Sequence, residues 1–137
     1  MKQVGSFDLQ EPKIRKDEIL VVKDKYFHGK NVAVVTGAAS GVGRATAIAL
    51  AVNGLAVAGT DVMEEGGKET VKMAEKLGGE IIFVKADLTK DEEIESCVRQ
   101  ATQYGSIKFL ANIAGLQHID SIENFPMQKY DFMMKVM

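Results

Sequence analysis

The residues best suited to chemistry come in an ordered series. Thr36-Gly37-Ala38-Ala39-Ser40-Gly41-Val42-Gly43 follows the apolar run from Val32 to Val35 and precedes an alanine-rich helical pattern. Asp61 ends a second apolar run, Asp87-Leu88 follows a third, and Asn112-Ile113-Ala114-Gly115 closes a fourth. A glycine turn between a strand and a helix makes a phosphate cradle, because the helix N-terminus offers unpaired N–H groups and a positive dipole end. Glycines without a Cβ let a pyrophosphate come close enough to use both. The turn reads T-G-x-x-x-G-x-G. It departs from G-x-G-x-x-G/A at Thr46, from a Walker A loop at Arg44-Ala45, and from a nucleophile elbow at Ala38. Taken alone, it also fits a turn kept glycine-rich only for tight strand–helix packing.

Asp61 narrows the choice. It stands about 20 residues after the turn, where a carboxylate accepts hydrogen bonds from both hydroxyls of an adenosine ribose. A 2′-phosphate at that place would be repelled, and neither Ser40 nor Val62 supplies a cation to hold one. The balance therefore favours NAD over NADP as the expected cofactor, with a solvated acid at a strand end as the plainer alternative for Asp61. Metal catalysis finds no support, since His28 and His118 are isolated and Cys97 is the single cysteine.

Positioning these residues requires strands and helices in alternation. The patterning predicts strands over Val32–Thr36, Leu55–Thr60, Ile81–Lys85 and Ile107–Asn112, with helices over Val42–Asn53, Glu64–Leu77 and Lys90–Gln103. A last helix starts near Pro126. In the first helix Ala45, Ile48, Ala49 and Val52 form an expected buried stripe; in the third Ile94, Val98 and Ala101 do, behind a capping-box signature of Thr89 and Glu92. Such alternation implies an α/β fold, a Rossmann-type doubly wound parallel sheet in order 3-2-1-4 with its crevice at the switch point between the first and fourth strands. Residues 1–25 read as an N-terminal extension in which Ile19-Leu20-Val21-Val22 could pair as an edge strand. Residues 26–137 read as the dinucleotide-binding half-domain.

Composition agrees with one globular domain of 137 residues. A net charge of −2 without a basic cluster argues against nucleic acid or an anionic membrane as partner. One cysteine excludes an internal disulfide and fits a reducing cytoplasm, with Cys97 read as a buried small side chain. No apolar run approaches the roughly 20 residues that span a bilayer.

With the glycine turn, Asp61, Asp87-Leu88 and Asn112-Ile113-Ala114-Gly115 each following a strand, the chain resembles the short-chain dehydrogenase/reductase family from about Tyr26 to Met137. That resemblance implies contacts from Gly37, Ser40, Gly41, Val42 and Gly43 to the pyrophosphate and its surroundings. It places Asp61 and Val62 by the adenosine ribose, Asp87 and Leu88 by the adenine, and Asn112, Ala114 and Gly115 by the inner part of the cofactor. Where the family carries a second asparagine this chain has Ile113, which removes a polar contact of that loop. The segment from Ala114 to Ile119 is similar to that of D-3-hydroxybutyrate dehydrogenases, where a glutamine matching Gln117 holds the substrate carboxylate. A plain loop role for Gln117 fits as well.

The family's catalytic serine and Tyr-x-x-x-Lys pair would fall after Met137. Two internal matches, Tyr26 to Lys30 and Tyr104 to Lys108, cannot stand together on a helix beside the nicotinamide. No catalytic residue is therefore assigned, and the chain alone is expected to give no turnover. The resemblance implies an NAD-dependent oxidoreductase acting on a secondary alcohol or ketone, a homo-oligomer when complete. A non-catalytic NAD-binding module, complete as it stands, is the alternative.

Overall fold

β-Branched and alanine residues dominate the strands, and the alternation of their faces fixes the layers. A computed structural model describes residues 13–137. Its elements are β1 (Asn31–Thr36), α1 (Gly41–Val52), β2 (Ala56–Asp61), α2 (Glu64–Leu77), β3 (Ile81–Lys85), α3 (Asp91–Ala101), β4 (Ser106–Ala111) and α4 (Met127–Val136). The four strands form one sheet in the order β3-β2-β1-β4, parallel throughout, as the patterning predicts. Residues Met1 to Pro12 of the expected extension lie outside the described residues.

β1 is buried along its whole length because helices cover both faces. Ala33 and Val35 pack with Ala47, Ile48 and Ala51 of α1 and Ala74 of α2, while Val32 and Val34 pack with Ala58 and with Ala101 at the end of α3. α1 and α2 thus share one face and α3 covers the other. Small side chains on the helices let them lie close to the sheet. β4 carries one irregularity: Val32 pairs with Ile107 but Ala33 with Phe109, so Lys108 is the extra residue of a bulge.

Four expectations need correction. The buried stripe of α1 runs through Arg44, Ala47, Ile48 and Ala51, with Ala45 exposed, because Arg44 turns inward to reach main-chain carbonyls. In α3 the buried positions are Cys97 and Ala101, with Ile94 and Val98 at the exposed margin. The capping box does not form. Thr89 Oγ1 donates instead to Asp87 Oδ1 at 2.7 Å, and Glu93 accepts from the Asp87 N–H at 2.7 Å, so Asp87 organises this turn.

Ile19–Val22 is not a strand either. Asn53 at the end of α1 takes its backbone groups, accepting from the Val22 N–H at 2.6 Å and donating to the Leu20 carbonyl at 2.9 Å. Ile14, Ile19 and Phe27 pack against the α1-side cluster, and Phe27 meets Phe109 edge to face at 5.6 Å.

Candidate functional site

All four strands run the same way, so the loops after β1, β2, β3 and β4 collect at one edge of the sheet. There they enclose a cleft of about 670 Å³ at the switch point between β1 and β4. That volume suits a small-molecule ligand, whose sites span about 300–1,000 Å³. Gly37, Ser40, Gly41, Val42 and Gly43 form one wall. Asp61 and Val62 stand at the end of β2, Asp87 and Leu88 after β3, Ala114 and Gly115 after β4. Asn112 and Gln117 are exposed and lie outside this wall.

The glycines divide their work. Gly37 has φ 71°, and a Cβ there would meet the Ala114 nitrogen at 2.9 Å. At Gly43 a Cβ would fall 1.9 Å from the Gly37 carbonyl oxygen. Both therefore serve backbone packing, letting α1 start tight against the turn and the β4 loop close over it. Around Gly41 a Cβ would meet open space. The first turn of α1 opens here, with Gly41, Val42 and Gly43 in the cleft wall ahead of the first helical bond, from the Arg44 N–H to the Ser40 carbonyl at 3.1 Å.

Thr36 joins the two sides of the crevice. Its hydroxyl oxygen accepts from the N–H groups of Ile113 at 2.9 Å and Ala114 at 3.0 Å, using both lone pairs. Thr36→Val keeps the shape and leaves two partly buried donors unmatched. It is expected to lower unfolding free energy by about 1–3 kcal/mol, with Thr36→Ser near wild type, as read by urea denaturation.

Asp61 is fixed from two directions. Its Oδ2 accepts from the Ala39 N–H at 3.1 Å and its Oδ1 from the Met63 N–H at 3.0 Å. Lone pairs remain for a ligand, since an ionised carboxylate offers about four acceptor sites. Asp87 is held by the Thr89 N–H and hydroxyl, which keep its carboxyl below the usual aspartate range. Behind the cleft, burial pushes the Cys97 thiol up, so it packs as a neutral side chain.

Sequence reasoning missed part of the wall. Thr60, Met63 and Ala86 line the cleft beside Asp61 and Asp87, and Ile113, Leu116, Phe132 and Val136 make the opposite end apolar. Strand-end positions could have indicated Thr60 and Ala86. The two α4 residues had no signal, because α4 reaches the cleft only through the tertiary fold. A second hollow, of about 720 Å³, follows the free edge of β3 between α2 and Tyr104. It contains none of the glycine turn, and within it Glu64 pairs with Lys68 at 3.0 Å and with Lys85 at 3.9 Å. Among the described residues no His, Cys, Asp or Glu side chains group in threes to hold a metal ion, and no helix is long and apolar enough to cross a membrane.

The comparisons agree with this geometry. The family model for short chain dehydrogenase matches residues 31–137. An uncharacterized oxidoreductase of Thermotoga maritima is 37% identical over 110 residues, covering 80% of this chain and 43% of that protein. D-beta-hydroxybutyrate dehydrogenase of Cupriavidus necator is 38% identical over 103 residues, covering 72% of this chain and 39% of that protein. Among solved structures, a double mutant of a Serratia marcescens short-chain dehydrogenase/reductase superposes with TM-score 0.74 at 28% identity, covering 81% of this chain and 46% of that one. The chain thus spans less than half the length of these relatives.

Proposed function

The chain belongs to the short-chain dehydrogenase family, and from that premise we propose that residues 26–137 form the NAD-binding part of an oxidoreductase. The reaction of the whole protein, in this reading, moves hydride between NAD(H) and a secondary alcohol or ketone. Members of this family typically bind a nicotinamide cofactor. Bound, it supplies the hydride acceptor or donor. The residues of this chain bind and orient it.

One observation carries the reading: a single cleft brings together the glycine turn, Asp61, Asp87-Leu88 and Ala114-Gly115. The first-turn N–H groups of α1 would hold the pyrophosphate. Asp61 would accept from the ribose hydroxyls, and its charge, with no cation at Ser40 or Val62, favours NAD over NADP. Val62, Asp87 and Leu88 would bound the adenosine. Ala114 and Gly115, with Ile113 and Leu116, would flank the inner part of the cofactor and exclude water there. Asn112, outside the wall, is given no contact.

A 3-hydroxy acid is the substrate class we favour, on the likeness of the Ala114–Ile119 loop and the named Cupriavidus necator relative. Gln117, next to the wall residue Leu116, would then hold a carboxylate through its amide NH₂. The lone buried thiol suits a cytoplasmic setting. Calorimetric titration of the purified chain with NAD and with NADP tests the cofactor assignment. Tighter binding of NAD is expected, and equal or inverted affinities would refute it.

A further inference from the structure

We propose that Thr70 and Arg44, which do not line the cleft, are positioning residues that set its nucleotide preference through a buried hydrogen-bond relay ending on Asp61. This rests on the ribose role given to Asp61 above. Arg44 Nε donates to Thr70 Oγ1 at 3.0 Å, and Thr70 Oγ1 donates to the Ala38 carbonyl at 2.8 Å. The N–H of that same peptide unit, carried by Ala39, donates to Asp61 Oδ2 at 3.1 Å. Each donor points the same way, from the guanidinium toward the carboxylate, so each bond polarises the next.

The relay is sheltered from water. Thr70 is 1% exposed, Arg44 7%, and Ala38 and Ala39 are fully buried. A second acceptor, the Gly66 carbonyl, lies 3.0 Å from Thr70 Oγ1. It already takes the helical bond from the Thr70 N–H, and the hydroxyl has a single proton to give, so the shorter bond to Ala38 holds it. Arg44 also fastens the next peptide, its Nη2 donating to the Ala39 carbonyl at 2.5 Å. Between them the two side chains pin the peptides on both sides of Ala39.

The consequence falls on Asp61. With Oδ2 held by Ala39 and Oδ1 by Met63, the carboxylate plane is fixed and its remaining lone pairs are committed to one direction. Removing the Thr70 hydroxyl leaves the Ala38 carbonyl without that donor and frees the peptide that anchors Oδ2. The carboxylate can then turn, accept the ribose diol less well and repel a 2′-phosphate less strongly. A purely structural role predicts something else, an equal loss for both cofactors.

The full chain serves for the test, with NAD and NADP titrated against wild type, Thr70→Val, Thr70→Ser and Asp61→Asn. Thr70→Val is expected to weaken NAD about 3- to 10-fold, the scale of one lost hydrogen bond, and to move NADP less. Thr70→Ser should restore the wild-type preference. An equal loss for both cofactors in Thr70→Val, or an unchanged preference, would overturn the relay. Asp61→Asn separates the two layers: if it narrows the preference and Thr70→Val does not, only the relay falls, whereas an unaltered preference in Asp61→Asn removes the ribose reading and the relay with it. Should Thr70→Val unfold, Arg44→Lys carries the same prediction, because lysine keeps the charge but cannot reach Thr70 and Ala39 as a fork. Wild-type preference in Arg44→Lys would overturn the proposal.

Discussion

Gly43→Ala is expected to lower NAD affinity by at least about tenfold and to destabilise the chain at the same time. The added methyl would sit 1.9 Å from the Gly37 carbonyl oxygen, 2.5 Å from its carbon and 3.2 Å from the Ala38 nitrogen. Backbone atoms surround it, so no side-chain rotation relieves the contact. Either α1 withdraws from the turn or Gly37 swings away, and Gly37 in turn abuts Ala114. Both movements open the crevice where the cofactor is proposed to bind. Overpacking of this kind costs about 1–3 kcal/mol or more, and 1.4 kcal/mol is tenfold in an equilibrium constant. Gly41→Ala separates the two roles, since a Cβ there meets open space and strains only the φ of 52°. Calorimetry with NAD and thermal unfolding of both variants check the pair. Full NAD affinity in a folded Gly43→Ala would show that the tight start of α1 does not shape the site.

Asp61→Ala should weaken NAD about 10- to 100-fold and bring NADP level with it. A hydrogen bond to a charged group is worth about 1.5–3 kcal/mol, and the carboxylate is proposed to accept two. Its loss also removes the repulsion of a 2′-phosphate. Some destabilisation accompanies it, because the Ala39 and Met63 N–H groups lose their acceptor. Paired titrations with NAD and NADP separate these effects, since destabilisation alone lowers both affinities together.

Much of this architecture was legible in the chain because its signals are local. α2 and β3 have the expected bounds, since Gly78-Gly79 ends the helix and the apolar run from Ile81 is short and sharply bounded. The other elements shifted by one or two residues. β4 ends at Ala111 and leaves Asn112 beyond it, because Thr36 draws the following backbone toward β1. What hydropathy cannot express was misread. Arg44 counts as polar in any pattern, yet it is buried because carbonyls of Ala39 in the glycine turn and Gly66 in α2 converge on it. Thr89 resembles a cap in sequence, but Asp87 lies within reach of its hydroxyl. The candidate site follows the same division. Residues in the turn and at strand ends were accessible to spacing arguments, whereas Phe132 and Val136 reach the cleft from a helix far along the chain.

Amide chemical-shift mapping of the labelled chain during an NAD titration tests the central claim most directly. NAD should produce saturable shifts at Ser40, Val42 and Gly43 of the turn, at Val62 and Leu88, and at Gly115, all in the wall of one cleft. Phe83, Gln100 and Tyr104, which line the hollow along β3, should not move. Shifts confined to that hollow, or none that saturate at the glycine turn, would contradict the assignment of this cleft as the NAD site.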